Sequence, residues 1–219
     1  MNNNKADFTK LYKEFYAPKA TPAILEVPRM QFIMVEGHGN PNDTDGEYAH
    51  AVELLYALSY TIKMNCLDYS ESGISEYTVL PLEGLWWLED DKDMDFYSQK
   101  DRYCWISMIR QPDFVTMEHF EKAKQLLAKK KPHIDCSKAK LEAYTEGICV
   151  QCMHLGPYDD EPATIDKMEA YLEENHRENA IGTLSVEGTL RRHHEIYLSD
   201  PRKSKPENRK TILRHPIHK

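Results

Sequence analysis

Two glutamates stand inside apolar, strand-forming runs and are the residues best suited to acid–base chemistry. Glu83 lies in the run LEGLWW, and Glu195 lies in the run HEIYL. A carboxylate that is buried alone is strongly destabilising, so each one must be exposed, paired or functional. Side-chain alternation places Glu83 on the face of Leu85 and Trp87, and Glu195 on the face of Tyr197. Beside aromatic rings in a cleft, such a carboxylate is a candidate general base, whereas on an edge strand it would face water.

The aromatic residues near these strands are candidates for the wall of a ligand pocket. The chain has 3 Trp, 13 Tyr and 6 Phe, so tyrosine is more than twice as common as phenylalanine. Tyr and Trp carry a polar group on a flat ring, which suits stacking on planar or cationic aromatic molecules, although any single aromatic residue is more often part of the core. The candidate ligand-binding residues are Trp87, Trp105, Phe114, Tyr197, Tyr56 and Met153, and Tyr158 is a further candidate for the chemistry itself.

No metal or cofactor site is predicted. Cys149 and Cys152 match the spacing C-x-x-C, but they lie in a run that reads as a strand, where residues three apart point to opposite faces. The adjacent residues His193, His194 and Glu195 diverge for the same reason. The five cysteines follow no disulfide framework and fit a reducing compartment.

Composition and charge exclude several classes of protein. The chain has 219 residues, with 28 Lys and Arg against 36 Asp and Glu, which gives a net charge of −8 and disfavours a nucleic-acid partner. No apolar run reaches the roughly 18 residues of a membrane-spanning helix, and the start, MNNNKAD, lacks a signal-peptide core. We therefore expect a cytoplasmic protein that acts on a small molecule, with no membrane or protein partner indicated.

The order of predicted elements repeats along the chain, because strand, turn, helix, strand, strand occurs twice. Helices are predicted from about Asp45 and from Pro162, and a further helix begins after the N-cap Thr116. The predicted strands are Arg29–Glu36, Tyr77–Leu88 and Arg102–Gln111 in the first half, and Ile148–Leu155, His193–Ser199 and Lys210–Ile217 in the second. The acidic stretch 89–93 is predicted to be a solvated connection.

This repetition predicts an α+β fold in which duplicated β-α-β-β units form one pseudo-twofold domain with a central ligand groove. The expected boundaries are an N-terminal arm over 1–28 and a single domain over 29–219. Repeat one is then 29–115, a helical connection is 116–145, and repeat two is 146–219. In this alignment Glu83 and Glu195 occupy equivalent positions.

Four separated motifs carry a family resemblance. PLEGLWW (81–87), MIRQPDFV (108–115), MHLGPYDDEP (153–162) and HHEIYLSDPRK (193–203) together resemble the stand-alone GyrI-like small-molecule-binding proteins. The resemblance implies a duplicated β-α-β-β fold of the SHS2 type, shared with the effector-binding domains of multidrug-sensing regulators. One branch is similar to the cyclopropanoid cyclopropyl hydrolases, which open the spirocyclopropane ring of DNA-alkylating natural products inside an aromatic cage.

The resemblance implies a detoxifying hydrolase that needs no cofactor. Glu195 would be the water-orienting base, with Glu83 as the second choice, and Tyr158 would donate to the developing oxyanion. One alternative is a non-catalytic module that sequesters or senses aromatic compounds. Another is a protein-binding role like that of a topoisomerase inhibitor.

Overall fold

An antiparallel barrel of six strands organises the fold. The computed structural model describes residues 5–69, 76–89, 98–185 and 188–218, so the predicted connection at 90–93 lies outside the described residues. The barrel strands are β2 (Ala23–His38), β4 (Leu82–Leu88), β5 (Tyr103–Arg110), β6 (Lys140–Leu155), β7 (His193–Tyr197) and β8 (Lys210–Pro216). Two short strands, β1 (Lys5–Ala6) and β3 (Glu76–Tyr77), form a separate parallel pair.

The strand order confirms the predicted duplication. Around the closed barrel the order is β2-β5-β4-β7-β8-β6, so each half of the chain contributes three neighbouring strands. The two halves join where β2 pairs with β6 and where β4 pairs with β7. Helix α3 (Glu47–Thr61) packs against β2 and β5, and helix α5 (Pro162–Glu174) packs against β6. The pair β4–β7 therefore lies between the two helices, where the groove was expected.

The barrel separates two sets of buried side chains. One cluster draws residues from all six strands and, apart from the N-terminal segment, from no helix; it fills the barrel interior and includes Phe32, Leu85, Met108, Ile196 and Ile212. Two other clusters join the outer face of the strands to the helices, one under α3 and α4 (Met117–Lys130) and one under α5. Successive residues of each strand therefore alternate between the interior and the helix-covered face.

Several elements extend beyond the sequence-based boundaries. Strand β2 begins at Ala23 rather than Arg29, and β6 begins at Lys140 rather than Ile148, because the two strands pair with each other from Ala23↔Gln151 to Met34↔Lys140. The register passes over Pro28, which has no N–H to donate to the ladder. Helix α4 ends at Lys130, and the N-cap prediction at Thr116 is confirmed by its side chain, which accepts from the His119 N–H.

The N-terminal segment closes the end of the barrel interior. Two short helices, α1 (Phe8–Leu11) and α2 (Lys13–Tyr16), bring Phe15 and Tyr16 into the interior cluster, where both are buried. Arg214 on β8 donates to the Phe15 carbonyl at 2.9 Å. The segment is thus bonded to the barrel rather than free of it.

Candidate functional site

Glu195 lies on the helix-covered face of the sheet, on β7 at the junction between the two units. Its cross-strand partner on β4 is Gly84, while its neighbours on the same face of β7, His193 and Tyr197, pair with Trp86 and Leu82. Glu195 is only 8% exposed. The carboxylate is therefore buried between strands contributed by different repeats.

Gly84 leaves the space that an aromatic ring fills. A Cβ at Gly84 would lie 2.6 Å from Nε1 of Trp86, so the indole lies over the glycine. From there Trp86 donates through Nε1 to the Tyr197 hydroxyl at 2.9 Å. This hydrogen bond joins one repeat to the other directly above the β4–β7 pair.

Further aromatic rings surround the same point. Tyr48, from the first turn of α3, lies with its centroid 5.3 Å from Trp86 and 5.2 Å from Trp105. Tyr158, which follows β6, packs edge-on against Tyr197 at 5.8 Å. Trp105 is fully buried and forms the floor. We call Tyr48, Trp86, Tyr158, Glu195 and Tyr197 the Glu195 cluster.

A second glycine explains how the floor is built. Gly37 on β2 pairs with Trp105 on β5, and a Cβ at Gly37 would lie 2.4 Å from the indole. Only glycine lets the ring lie this close to the neighbouring strand. The two tryptophans of the outer face, Trp86 and Trp105, thus each rest on a glycine.

The three tyrosines of the cluster keep their protons at neutral pH. Burial, reinforced by the charge of Glu195, raises the pKa of Tyr197 and of Tyr48 well above the ordinary value. Burial also raises the pKa of Tyr158 to about 12, with Arg209 opposing the shift and Glu195 adding to it. Each tyrosine therefore presents a hydroxyl that can donate a hydrogen bond.

Two histidines extend the site away from the aromatic rings. His193 Nε2 lies 3.0 Å from Glu195 Oε1, and His193 Nδ1 lies 2.7 Å from Nε2 of the buried His215 on β8. Glu161, at the start of α5, is buried close by. Within the described part of the chain, Glu161, His193 and Glu195 are the group whose ligand atoms lie within 4.8 Å of one another and could together hold a cation. His193 and Glu195 are two residues apart on a strand, so they share a face, while the intervening His194 points away.

Glu83 lies on the other side of the sheet, inside the barrel. Its cross-strand partner is Ile196, and it is 1% exposed. Tyr16 donates to its Oε1 at 3.0 Å, and His194 Nε2 lies 3.0 Å from its Oε2. The predicted equivalence of Glu83 and Glu195 is therefore wrong, because a one-residue difference in register places the two carboxylates on opposite faces.

A buried polar network continues from Glu83 across the interior. His194 Nδ1 lies 3.0 Å from Glu146, whose other oxygen accepts from Arg214 at 3.0 Å. Burial alone would lower the pKa of His194, but the charges of Glu146 and Glu83 raise it to about 9. Burial alone would raise the pKa of Glu146, but the charges of His194 and Arg214 lower it to about 2. Each charge in the network thus has an opposite partner, which is how buried charges are tolerated.

A comparison with protein families identifies the fold. The model of the GyrI-like small molecule binding domain matches residues 20–218, nearly the whole chain. The chain belongs to this GyrI-like family. The resemblance inferred from the four motifs is therefore confirmed.

Solved structures similar to this GyrI-like chain include two from Listeria innocua. An uncharacterized conserved protein has a TM-score of 0.85 and 46% identity, and the match covers 97% of this chain and 99% of that one. A protein described as a hydrolase has a TM-score of 0.80 and 46% identity, with 97% and 99% covered. The EcmrR C-terminal domain, at 13% identity and a TM-score of 0.52, covers 91% of this chain and 98% of that one and shows a shared fold. No curated protein matches this chain significantly.

Four of the sequence-predicted residues come together at the β4–β7 junction of this GyrI-like chain: Glu195, Tyr197, Tyr158 and Trp105. Tyr56 lies two helical turns beyond Tyr48 on α3 and is partly buried against the same cluster of apolar residues. Burial raises the pKa of Tyr56 above its ordinary value.

The remaining candidates lie elsewhere. Trp87 shares the strand face of Glu83, as alternation predicts, and stacks under Arg192 at 4.4 Å. Met153 packs with the interior cluster. Phe114 packs against Phe8 and Tyr77 beside α1, with centroids 6.3 and 5.9 Å apart. These three side chains are not brought to Glu195.

Sequence reasoning missed four residues of the site: Tyr48, Trp86, His193 and Glu161. Strand alternation joins Trp87, not Trp86, to Glu83, so alternation from Glu83 favours the wrong tryptophan. A signal for Trp86 exists in Gly84, since a glycine in a strand marks a place where another group approaches closely.

None of the helices in the described ranges has the length and apolar character needed to cross a membrane.

Proposed function

We propose that this GyrI-like domain binds flat, amphipathic aromatic molecules at the Glu195 cluster and hydrolyses a strained ring in them, namely the cyclopropane of cyclopropanoid DNA-alkylating compounds. The biological role would be detoxification. The family's small-molecule binding and the hydrolase description of a Listeria protein at 46% identity support this reading.

The observation that carries the proposal is the burial of Glu195 among aromatic rings. Trp86 is only 4% exposed and backs the site, whereas Tyr48 and Tyr158 are partly buried and present a ring and a hydroxyl at its edge. Such a site holds a planar molecule by stacking while a single carboxylate acts on it. Glu83 has no part in this proposal, because its oxygens face Tyr16 and His194 inside the barrel.

The chemistry assigns one role to each group. Water attacks a cyclopropane carbon, the ring carbon–carbon bond breaks, and its electron pair moves into the conjugated dienone to form a phenolate. Glu195 orients the water and accepts its proton, and Tyr158 donates a hydrogen bond to the developing phenolate oxygen. The proton held by Glu195 then returns to the phenolate, so that the product is a neutral phenol. General-base assistance of this kind contributes about 10²–10⁴-fold.

The free cysteines favour a protein that functions in a reducing compartment such as the cytoplasm. All five thiols are free, and Cys149 and Cys152 are both buried. A small aromatic ligand remains the expected partner, and no nucleic-acid partner is proposed.

The decisive experiment follows the ring-opened product by mass spectrometry, using a spirocyclopropyl dienone as substrate. We expect many turnovers per protein molecule, and a loss of about 10²–10⁴-fold in kcat for Glu195→Gln. Glu36→Gln is the matched control, since Glu36 is an exposed strand residue. Tight binding with no more than one equivalent converted would replace hydrolysis by sequestration. Unchanged turnover in Glu195→Gln would refute the assigned base.

A further inference from the structure

A series of hydrogen bonds leads to Glu195 from the side chain of Asn179, and the orientation of Asn179 is fixed by a backbone N–H. The N–H of Ile181 donates to Asn179 Oδ1 at 2.8 Å. The amide nitrogen of Asn179 is thereby turned toward Glu169 and His215. It donates to Glu169 Oε1 at 2.6 Å and lies 3.3 Å from His215 Nδ1.

This geometry determines which ring nitrogen of His215 carries the proton. The Asn179 amide nitrogen carries only donors, so His215 Nδ1 must accept. The Glu169 carboxylate oxygen is 3.8 Å from Nδ1, beyond hydrogen-bond distance, and does not compete as an acceptor. An imidazolium has no acceptor nitrogen, so a ring whose Nδ1 accepts is neutral. Its single proton is therefore on Nε2.

The same reasoning applies to His193. Its Nδ1 lies 2.7 Å from His215 Nε2 and accepts the proton that His215 carries there. A neutral His193 then holds its own proton on Nε2, which lies 3.0 Å from Glu195 Oε1. An ionised carboxylate can only accept, so this last bond fits the direction of the others.

We propose that His193 is a positioning residue for Glu195, held in its Nε2–H form by a donor chain that runs from Asn179 through His215 to His193 and ends on the carboxylate. The catalytic consequence rests on the proposed hydrolysis, whereas the donor chain itself does not. The four side chains come from three elements: Asn179 from the loop after α5, His215 from β8, and His193 and Glu195 from β7. The chain fixes Oε1 of Glu195, the oxygen that faces His193.

The primary test uses the unmodified protein, with ¹⁵N-labelled histidine and two-bond ¹H–¹⁵N correlation spectra at neutral pH. The molecule supplies its own reference for the charged form. His194, with a pKa of about 9, is an imidazolium. We expect His193 and His215 to show instead the pattern of a neutral ring with its proton on Nε2. A proton on Nδ1 of either ring, or an imidazolium pattern for His193, overturns the donor chain.

The second test asks whether His193 acts through Glu195. We expect His193→Ala to lower kcat by about 10- to 100-fold with KM unchanged. Added to Glu195→Gln, the same substitution should cause no further loss, because there is no carboxylate left to position. His133→Ala is the matched control, since the His133 side chain is 68% exposed. A full additional loss in the double variant would show a merely structural role and overturn the proposal. If the wild type turns over no substrate, the proposed hydrolysis fails while the spectra still decide the donor chain.

Discussion

Glu195 stands opposite Gly84 across the β4–β7 pair, and the indole of Trp86 occupies the space that a side chain at position 84 would take. The carboxylate of one repeat is therefore covered by a ring of the other, which is fixed by its hydrogen bond to Tyr197. This arrangement depends on the junction between the repeats, since the acid comes from repeat two and the indole that covers it comes from repeat one.

The glycine is the first testable part of this arrangement. Gly84→Ala places a Cβ 2.6 Å from Trp86 Nε1 and must displace the indole. We expect a loss of about 1–3 kcal/mol in the free energy of unfolding, measured in urea, because the core has no room for the added methyl. Tryptophan fluorescence should change in the folded state. An unaltered unfolding midpoint together with an unaltered spectrum would contradict the proposed packing.

The hydrogen bond between the repeats gives a second prediction. Tyr197→Phe leaves the Nε1–H of Trp86, a residue only 4% exposed, without its acceptor. Leaving a buried donor unsatisfied costs about 1–3 kcal/mol, which urea unfolding should detect. Tyr60→Phe is the control, since Tyr60 is 51% exposed, and it should leave stability unchanged. Equal stability of the two variants would mean that the bond contributes little.

Most of the elements and the duplication were predicted correctly, because capping residues, turns and hydrophobic periods are local signals. The predicted strand Tyr77–Leu88 was wrong, since it is two strands, β3 and β4, that belong to different sheets. Thr116 and Pro162 marked helix starts correctly. No local signal shows which face of the sheet the Glu195 side chain lies on. Alternation correctly joined Glu83 to Trp87, but it gives no register between β4 and β7, and a slip of one residue exchanges the two faces.

The partners of Glu195 were missed for a related reason. Tyr48 belongs to a helix, and its contact with Trp86 depends on how α3 lies on the sheet. Glu161 lies near His193 only because α5, which it precedes, packs against β6. Such contacts join residues distant in sequence, and no periodic pattern within a single element encodes them.

Tyr158 is predicted to act on the phenolate oxygen. Tyr158→Phe removes the hydroxyl but keeps the ring against Tyr197. We expect kcat to fall by about 10²–10³-fold with KM nearly unchanged, as for the loss of one oxyanion donor. The assay is the product measurement by mass spectrometry. Tyr171→Phe, which alters a partly buried ring on α5, serves as the control. A rise in KM alone would assign Tyr158 to binding rather than catalysis.

The interior network predicts a loss of stability in mild alkali. The pKa of His194 in the folded state, about 9, lies above its ordinary value of 6.5, so its stabilisation is complete below pH 6.5 and is lost as the pH rises through 9. A difference of this size corresponds to roughly 3 kcal/mol. Urea unfolding at a series of pH values between 6 and about 9 measures it. His194→Gln should abolish this slope, while His50→Gln, at an exposed site, should keep it. A flat profile in the wild type would contradict a charged His194.

The donor chain also predicts how the site responds to metal ions. Glu161, His193 and Glu195 are close enough to share a cation, but His193 can coordinate one through Nε2 only by giving up the proton that it donates to Glu195. We therefore expect protein treated with EDTA to retain its turnover and its thermal stability, and added Zn²⁺ or Mn²⁺ to leave the His193 signals in place. Glu161→Gln separates the two possibilities, with Glu36→Gln as the control of equal charge change. Activity that is lost on chelation, restored by one equivalent of metal, and abolished by Glu161→Gln would show that the three residues form a metal site and that the donor chain is broken in the working protein.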